Sequence, residues 1–192
     1  MVATKMLPTV TFVSAAQWES WLDEHHAESD GVWIAIAKKG SGIASVTHDE
    51  ALDIALCFGW IDGQRKTGDS TTFLQKFTPR RPKGLWSQRN IEKVAALTAA
   101  GRMRPAGLAE VAAAQQDGRW DAAYASPKNM VVPDDFLAAV QASAPASAFF
   151  DTLNRTERYA IAWRLATARK PETRQRRFAA LLAMLERGER LH

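Results

Sequence analysis

The stretch Phe77–Asn90, FTPRRPKGLWSQRN, concentrates the side chains with most chemistry to offer: Arg80, Arg81, Lys83 and Arg89 beside Trp86, Ser87 and Asn90. An arginine presents a planar fork of donors that matches a carboxylate or phosphate through two parallel hydrogen bonds. Pro79 and Pro82 restrict the backbone, so less loop entropy is lost on binding. Trp86 can stack on a ring or cover a pocket. Ser87 and Asn90 stand at a predicted helix start, where unpaired backbone N–H groups favour an anion. The stretch therefore reads as one wall of an anion-binding pocket. The competing reading is a solvated basic loop with Trp86 as its core anchor.

A second centre is Leu56–Lys66, LCFGWIDGQRK, where Asp62 lies between Gly59 and Gly63 and close to Arg65 and Lys66. A carboxylate there can orient an arginine, act as a base or bond a turn. Trp60 is the bulky neighbour that would face the same pocket. Cys57, among Leu56 and Phe58, reads as buried and structural rather than as a nucleophile. The ligand-binding candidates are thus Trp60, Asp62, Arg80, Arg81, Trp86 and Asn90, and Asp62 is the one catalytic candidate.

Other chemistries find no motif. His25, His26, His48 and His192 form no metal-ligand spacing, and no phosphate-loop, dinucleotide or nucleophile-elbow pattern occurs. No cofactor and no metal are expected. One cysteine permits no intrachain disulfide, which fits a reducing compartment. No apolar run is long enough to span a membrane. Lys5 and MLPTVTFVSAA have the outline of a signal peptide, but Pro8, Thr9, Thr11 and Ser14 break the apolar run. SAAQ reads better as a helix start, and a cytoplasmic location is expected.

The net charge of +4 conceals an uneven distribution. Gln64–Arg104 carries a net +8, Leu153–His192 a net +6, and the remaining residues a net −10. Two basic blocks on an acidic body suggest an anionic partner more strongly than the total does. In the second block, Arg174 and Arg177 share a helix face, with Lys170 one turn earlier.

The elements that must position these residues follow from periodicity. A short strand is expected over 9–13 and a helix over 15–26. Gly31–Lys39 is apolar on both faces and reads as a central strand. THDE is a capping box that opens a helix through about Phe58. WIDGQRKTGDSTTFLQKF reads as a hairpin around TGDS. Ser87 is the expected cap of a helix ended by Gly101, and Pro105 opens another with Leu108, Val111 and Ala112 inward. ASPKNMVVP, 125–133, is the best linker, and helices follow it, NRTE capping one and Pro171 opening another. The fold expected is α+β: a small, mostly antiparallel sheet of about four strands packed with helices, over 1–125, then a helical C-terminal subdomain over 126–192.

Taken together, ALCFGWIDGQRK, QKFTPRRPKGLWSQRN, GRMRPAGLAEV, DGRW and ARKPETRQRR resemble the YdeI/OmpD-associated family, labelled bacteriocin-protection proteins, along almost the whole chain. The resemblance implies a bacterial role in protection against antimicrobial peptides and stress, and association with an outer-membrane porin. It implies no mapped mechanism. Three functions compete. The first is a soluble binding protein for a small anion or an acidic peptide end, with a protein partner as a further option. The second is an enzyme acting on a phosphorylated or carboxylated metabolite, with Asp62 as base. The third is a nucleic-acid binder using both basic blocks and exposed tryptophans.

Overall fold

The computed structural model describes residues 6–125 and 129–191. The elements run β1 (Thr9–Val10), α1 (Ala15–His25), β2 (Val32–Ala37), α2 (His48–Cys57), β3 (Trp60–Thr67), β4 (Thr72–Pro79), α3 (Gln88–Ala99) and α4 (Pro105–Gln116). After them come α5 (Asp134–Ala142), α6 (Ala144–Asp151), α7 (Arg155–Ala166) and α8 (Pro171–Glu186). The fold is α+β: a four-stranded mixed sheet with helices, then a helical subdomain. The chain forms two compact units. One holds the sheet, running through Trp86 and again over Asn90–Ala122; the other comprises Ser87–Arg89 and the chain from Ala123 on. The expected linker overlaps 126–128, which lie outside the described residues.

In the sheet unit the strand order is β1-β2-β4-β3, parallel between β1 and β2 and antiparallel elsewhere. Side chains alternate across a strand, so the register sorts them onto two faces. Val32, Ile34 and Ile36 lie opposite Phe77, Gln75 and Phe73, and form the face covered by helices. Trp33, Ala35 and Ala37 share the other face and are only half-buried. β2 is an interior strand as expected, yet it is buried on one side only. β1 is shorter than expected and stops at Val10.

Two local rules start the covering helices. Ser14 accepts from the Gln17 amide, and the Gln17 side chain reaches back to the Val13 amide. Thr47 and Glu50 close a capping box at α2. Trp18 and Leu22 are fully buried, and the Trp18 indole donates to Ala51 O at 3.0 Å, tying α1 to α2. Trp18 also meets the Phe77 ring at 5.6 Å and the Trp60 ring at 6.3 Å, so an aromatic cluster forms the core of this face.

α4 corrects one expectation. Leu108 is exposed, and the buried residues are Gly107 and Ala114. A Cβ on Gly107 would stand 2.2 Å from Cys57 O, so the helix docks through a residue that only glycine can supply. Of the residues expected inward, only Val111 is half-buried, on the Gly107–Ala114 stripe, whereas Leu108 and Ala112 are exposed.

In the helical unit, Phe136, Val140, Ala146, Phe150, Leu153, Ile161, Leu165, Leu181 and Leu185 form the core. Asn154 and Glu157 complete the capping box expected from NRTE. α6 carries Pro145 in its first turn and buries Ala146 and Phe150.

Candidate functional site

The turn that presents Arg81 is built on β4. Arg81 O accepts from the Gly84 amide at 2.9 Å, with Pro82 and Lys83 between them and Lys83 at φ +62°. Proline followed by a positive φ is a type II turn, whose third position ordinarily holds glycine or asparagine. A lysine there accepts backbone strain, and strained positions gather at functional sites.

Several contacts fix this turn from behind. The Arg80 guanidinium lies 3.5 Å from the centre of the Trp86 ring, and its Nη1 donates to Leu85 O. Trp86 is 2% exposed and packs against Trp120 at 5.0 Å. Arg119, 4% exposed and held by Asp117 at 2.6 Å, donates through Nη1 to Gly84 O. The Arg80 amide donates to Gly59 O, which anchors the end of β4. Adjacent arginines thus have opposite fates: Arg80 is buried inside the turn and Arg81 is exposed on it.

Beside the turn lies a depression of about 420 Å³, lined among others by Ile61, Gln64, Lys76, Thr78, Arg81 and Leu85, with Asp62 and Arg80 also contributing. Its floor is the less covered face of the sheet, since Ile61, Lys76 and Thr78 alternate away from Phe77. Lys76 and Arg81 form no ion pair among the described residues. Asp62 lies opposite Phe77, and its carboxylate meets His48 Nε2 at 3.1 Å. That partner replaces the arginine or lysine suggested by sequence proximity. Arg65 instead donates from Nε to Gln75, and Lys66 Nζ sits 4.3 Å over the Trp33 ring.

Of the six ligand-binding candidates, the structure brings Asp62, Arg80 and Arg81 to this depression. Trp60 is 1% exposed, with its indole bonded to His26 O, and belongs to the core. Trp86 forms the support behind the turn, and Asn90 is half-buried on α3, outside the lining. Sequence reasoning missed Lys76, which is one cation in a strand, and Arg119, which entered only as part of the DGRW motif. The strand alternation of QKF and the Asp-Gly-Arg spacing of DGRW were the available signals. It also missed His48, whose link to Asp62 spans fourteen residues and has no local signature.

The remaining candidates have structural roles. Cys57 is 1% exposed, and burial pushes its thiol up, which leaves it a poor nucleophile. In the helical unit Arg174 pairs with Asp135 at 2.8 Å, and Arg177 donates to Arg164 O and Thr167 Oγ1. Among the described residues no cluster of His, Cys, Asp or Glu could hold a metal ion. No helix there is long and apolar enough to cross a membrane.

Residues 10–110 match the family model described as a domain of unknown function, DUF8412. The chain belongs to the DUF8412 family. The match includes the turn, Lys76 and Asp62, so the depression lies within the DUF8412 domain. Residues 129–188 match a second model, described as bacteriocin-protection, YdeI or OmpD-associated. That likeness is therefore narrower than the motifs suggested: ARKPETRQRR falls within it, whereas ALCFGWIDGQRK and QKFTPRRPKGLWSQRN fall in the DUF8412 segment. No curated protein and no solved structure matches the chain.

Proposed function

We propose that this DUF8412 protein is a cytoplasmic binding protein for a small phosphate- or carboxylate-bearing ligand, an acidic peptide end included, received beside the Arg81–Gly84 turn. The observation that carries the reading is the pairing of Lys76 and Arg81, without acidic partners among the described residues, on a depression whose turn is braced by Arg80, Trp86 and Arg119. A braced turn has little mobility left to lose when a ligand binds. Lys76 supplies a point charge, Arg81 a fork, and Thr78 a hydroxyl. The volume suits a metabolite better than a folded partner. The match of 129–188 to the bacteriocin-protection model supports a protective role for such binding.

In the enzyme alternative Asp62 does not stand alone as the base, because its carboxylate is held by His48. The nucleic-acid alternative invoked exposed tryptophans, whereas Trp18, Trp60 and Trp86 are buried. The test is thermal stabilisation by inorganic phosphate, pyrophosphate, citrate, nucleotides and short oligonucleotides, at low and moderate salt. A saturable shift with a small anion, absent in Arg81→Ala, supports the reading. A shift with oligonucleotides alone, fading as salt rises, replaces it with nucleic-acid binding.

A further inference from the structure

On the helix-covered face of the sheet, a second set of donors is pre-oriented. The slip in register between β3 and β4 creates it: Asp62 lies opposite Phe77 and Arg65 opposite Gln75, so three steps on one strand match two on the other. The extra residue of this bulge returns Arg65 to the face of Asp62, which ordinary alternation would deny it. Gln75, 2% exposed, stitches the bulge by donating from Nε2 to Gly63 O at 2.9 Å.

Arg65 is fixed at two points. Its Nε donates to Gln75 Oε1 at 3.1 Å, and its guanidinium lies 4.3 Å from the centre of the Phe73 ring. Its two terminal nitrogens make no hydrogen bond among the described residues. His48, the first residue of α2, is held through Nε2 by the Asp62 carboxylate, and its Nδ1 likewise has no hydrogen-bond partner there. Arg65 and His48 line one open depression of about 560 Å³, together with Lys39, the Gly40–Ile43 loop and Ser45. Lys38 reaches the turn carbonyls of Asp69 and Ser70 instead.

We propose that this depression is a second ligand site, for an elongated small molecule with a carboxylate or phosphate at one end and a hydrogen-bonding group at the other. The anionic end takes the Arg65 fork in the bidentate geometry that a guanidinium favours. The other end meets His48, whose ring Asp62 orients. The two groups come from different elements, Arg65 from β3 and His48 from the start of α2, and Asp62, which holds His48, pairs two positions along β4 from Arg65, roughly 7 Å. A ligand longer than an isolated inorganic anion is therefore the one expected to engage both.

The test is side-chain NMR on the full chain, following the Arg65 Nε–H and His48 imidazole signals. The probes are inorganic phosphate and a series of ω-hydroxyalkyl phosphates of increasing length. One length of the series should move both signals together and saturably. Arg65→Met should weaken that binding by about tenfold, the effect of losing charge-assisted hydrogen bonds. His48→Gln should shift the preferred length or abolish the preference. Arg81→Ala should change neither signal's response, which separates this site from the depression on the other face. Movement of Arg65 alone, equal for phosphate and every longer probe, would reduce the feature to one exposed fork and overturn the proposal. Absence of saturable movement with all probes in the folded wild type would overturn it too.

Discussion

The two basic blocks have almost the same charge and very different uses. In the helical unit the arginines serve the fold. Arg174 meets Asp135, Arg187 meets Glu189, and Arg190 meets Glu157. Arg158 caps the end of α6 by donating to Leu153 O and Phe150 O, and lies over the Phe150 ring. In the sheet unit, Arg80 and Arg119 are buried supports, while Lys76, Arg81 and the Arg65 fork have no acidic partner among the described residues. Net charge therefore locates a basic region without distinguishing a brace from a binding group. The difference comes from which carboxylates and carbonyls the fold brings close.

The largest effect is expected at the support of the turn. Trp86→Ala should cost about 3–5 kcal/mol, as loss of a buried large aromatic does, and should abolish anion binding with it; urea unfolding and a ligand titration measure both. Lys76→Ala with Arg81→Ala should leave the melting temperature nearly unchanged and weaken anion binding by about tenfold or more, read by calorimetry. Lys83→Gly should raise stability by about 1 kcal/mol, because glycine relieves the left-handed backbone at the turn. The same change should slightly weaken binding, since it removes a cation near the site.

The smallest effect belongs to the helical unit. Arg174→Ala should lower the melting temperature slightly at neutral pH and leave anion binding intact, since exposed ion pairs contribute little. The hydrogen bond from Arg174 holds the Asp135 carboxyl below its ordinary range. A depressed carboxylate stabilises the fold above its unfolded pKa, and that contribution fades as pH falls through the folded value. The difference between Arg174→Ala and wild type should therefore begin to shrink as pH falls to the ordinary value of 3.8 and vanish only below the lower folded value. Asp69 behaves alike in the sheet unit, where Thr71 and Thr72 hold its carboxyl down to about 2, so its contribution fades between 3.8 and that value.

Much of the fold was legible because its signals are local. The capping boxes at Thr47 and Asn154, the Asp69 turn and the alternation of Val32, Ile34 and Ile36 each declare themselves within a few residues. The site was legible only in its turn. Arg80 and Arg81 are neighbours in sequence, and nothing local says that one turns inward onto Trp86. The bulge that brings Arg65 to the face of Asp62 depends on the partner strand. The links His48–Asp62 and Arg119–Gly84 join distant positions, and the Gly107 docking depends on the backbone of α2.

The most direct test of the central claim is a backbone-amide NMR titration with pyrophosphate at fixed ionic strength. It would compare wild type, the Lys76→Ala/Arg81→Ala pair and the Arg174→Ala/Arg177→Ala pair. Saturable shifts across residues 76–85 are expected in wild type, with their loss in the first pair and their retention in the second. Shifts confined to residues 155–187, or equal affinity in wild type and the first pair, would contradict it.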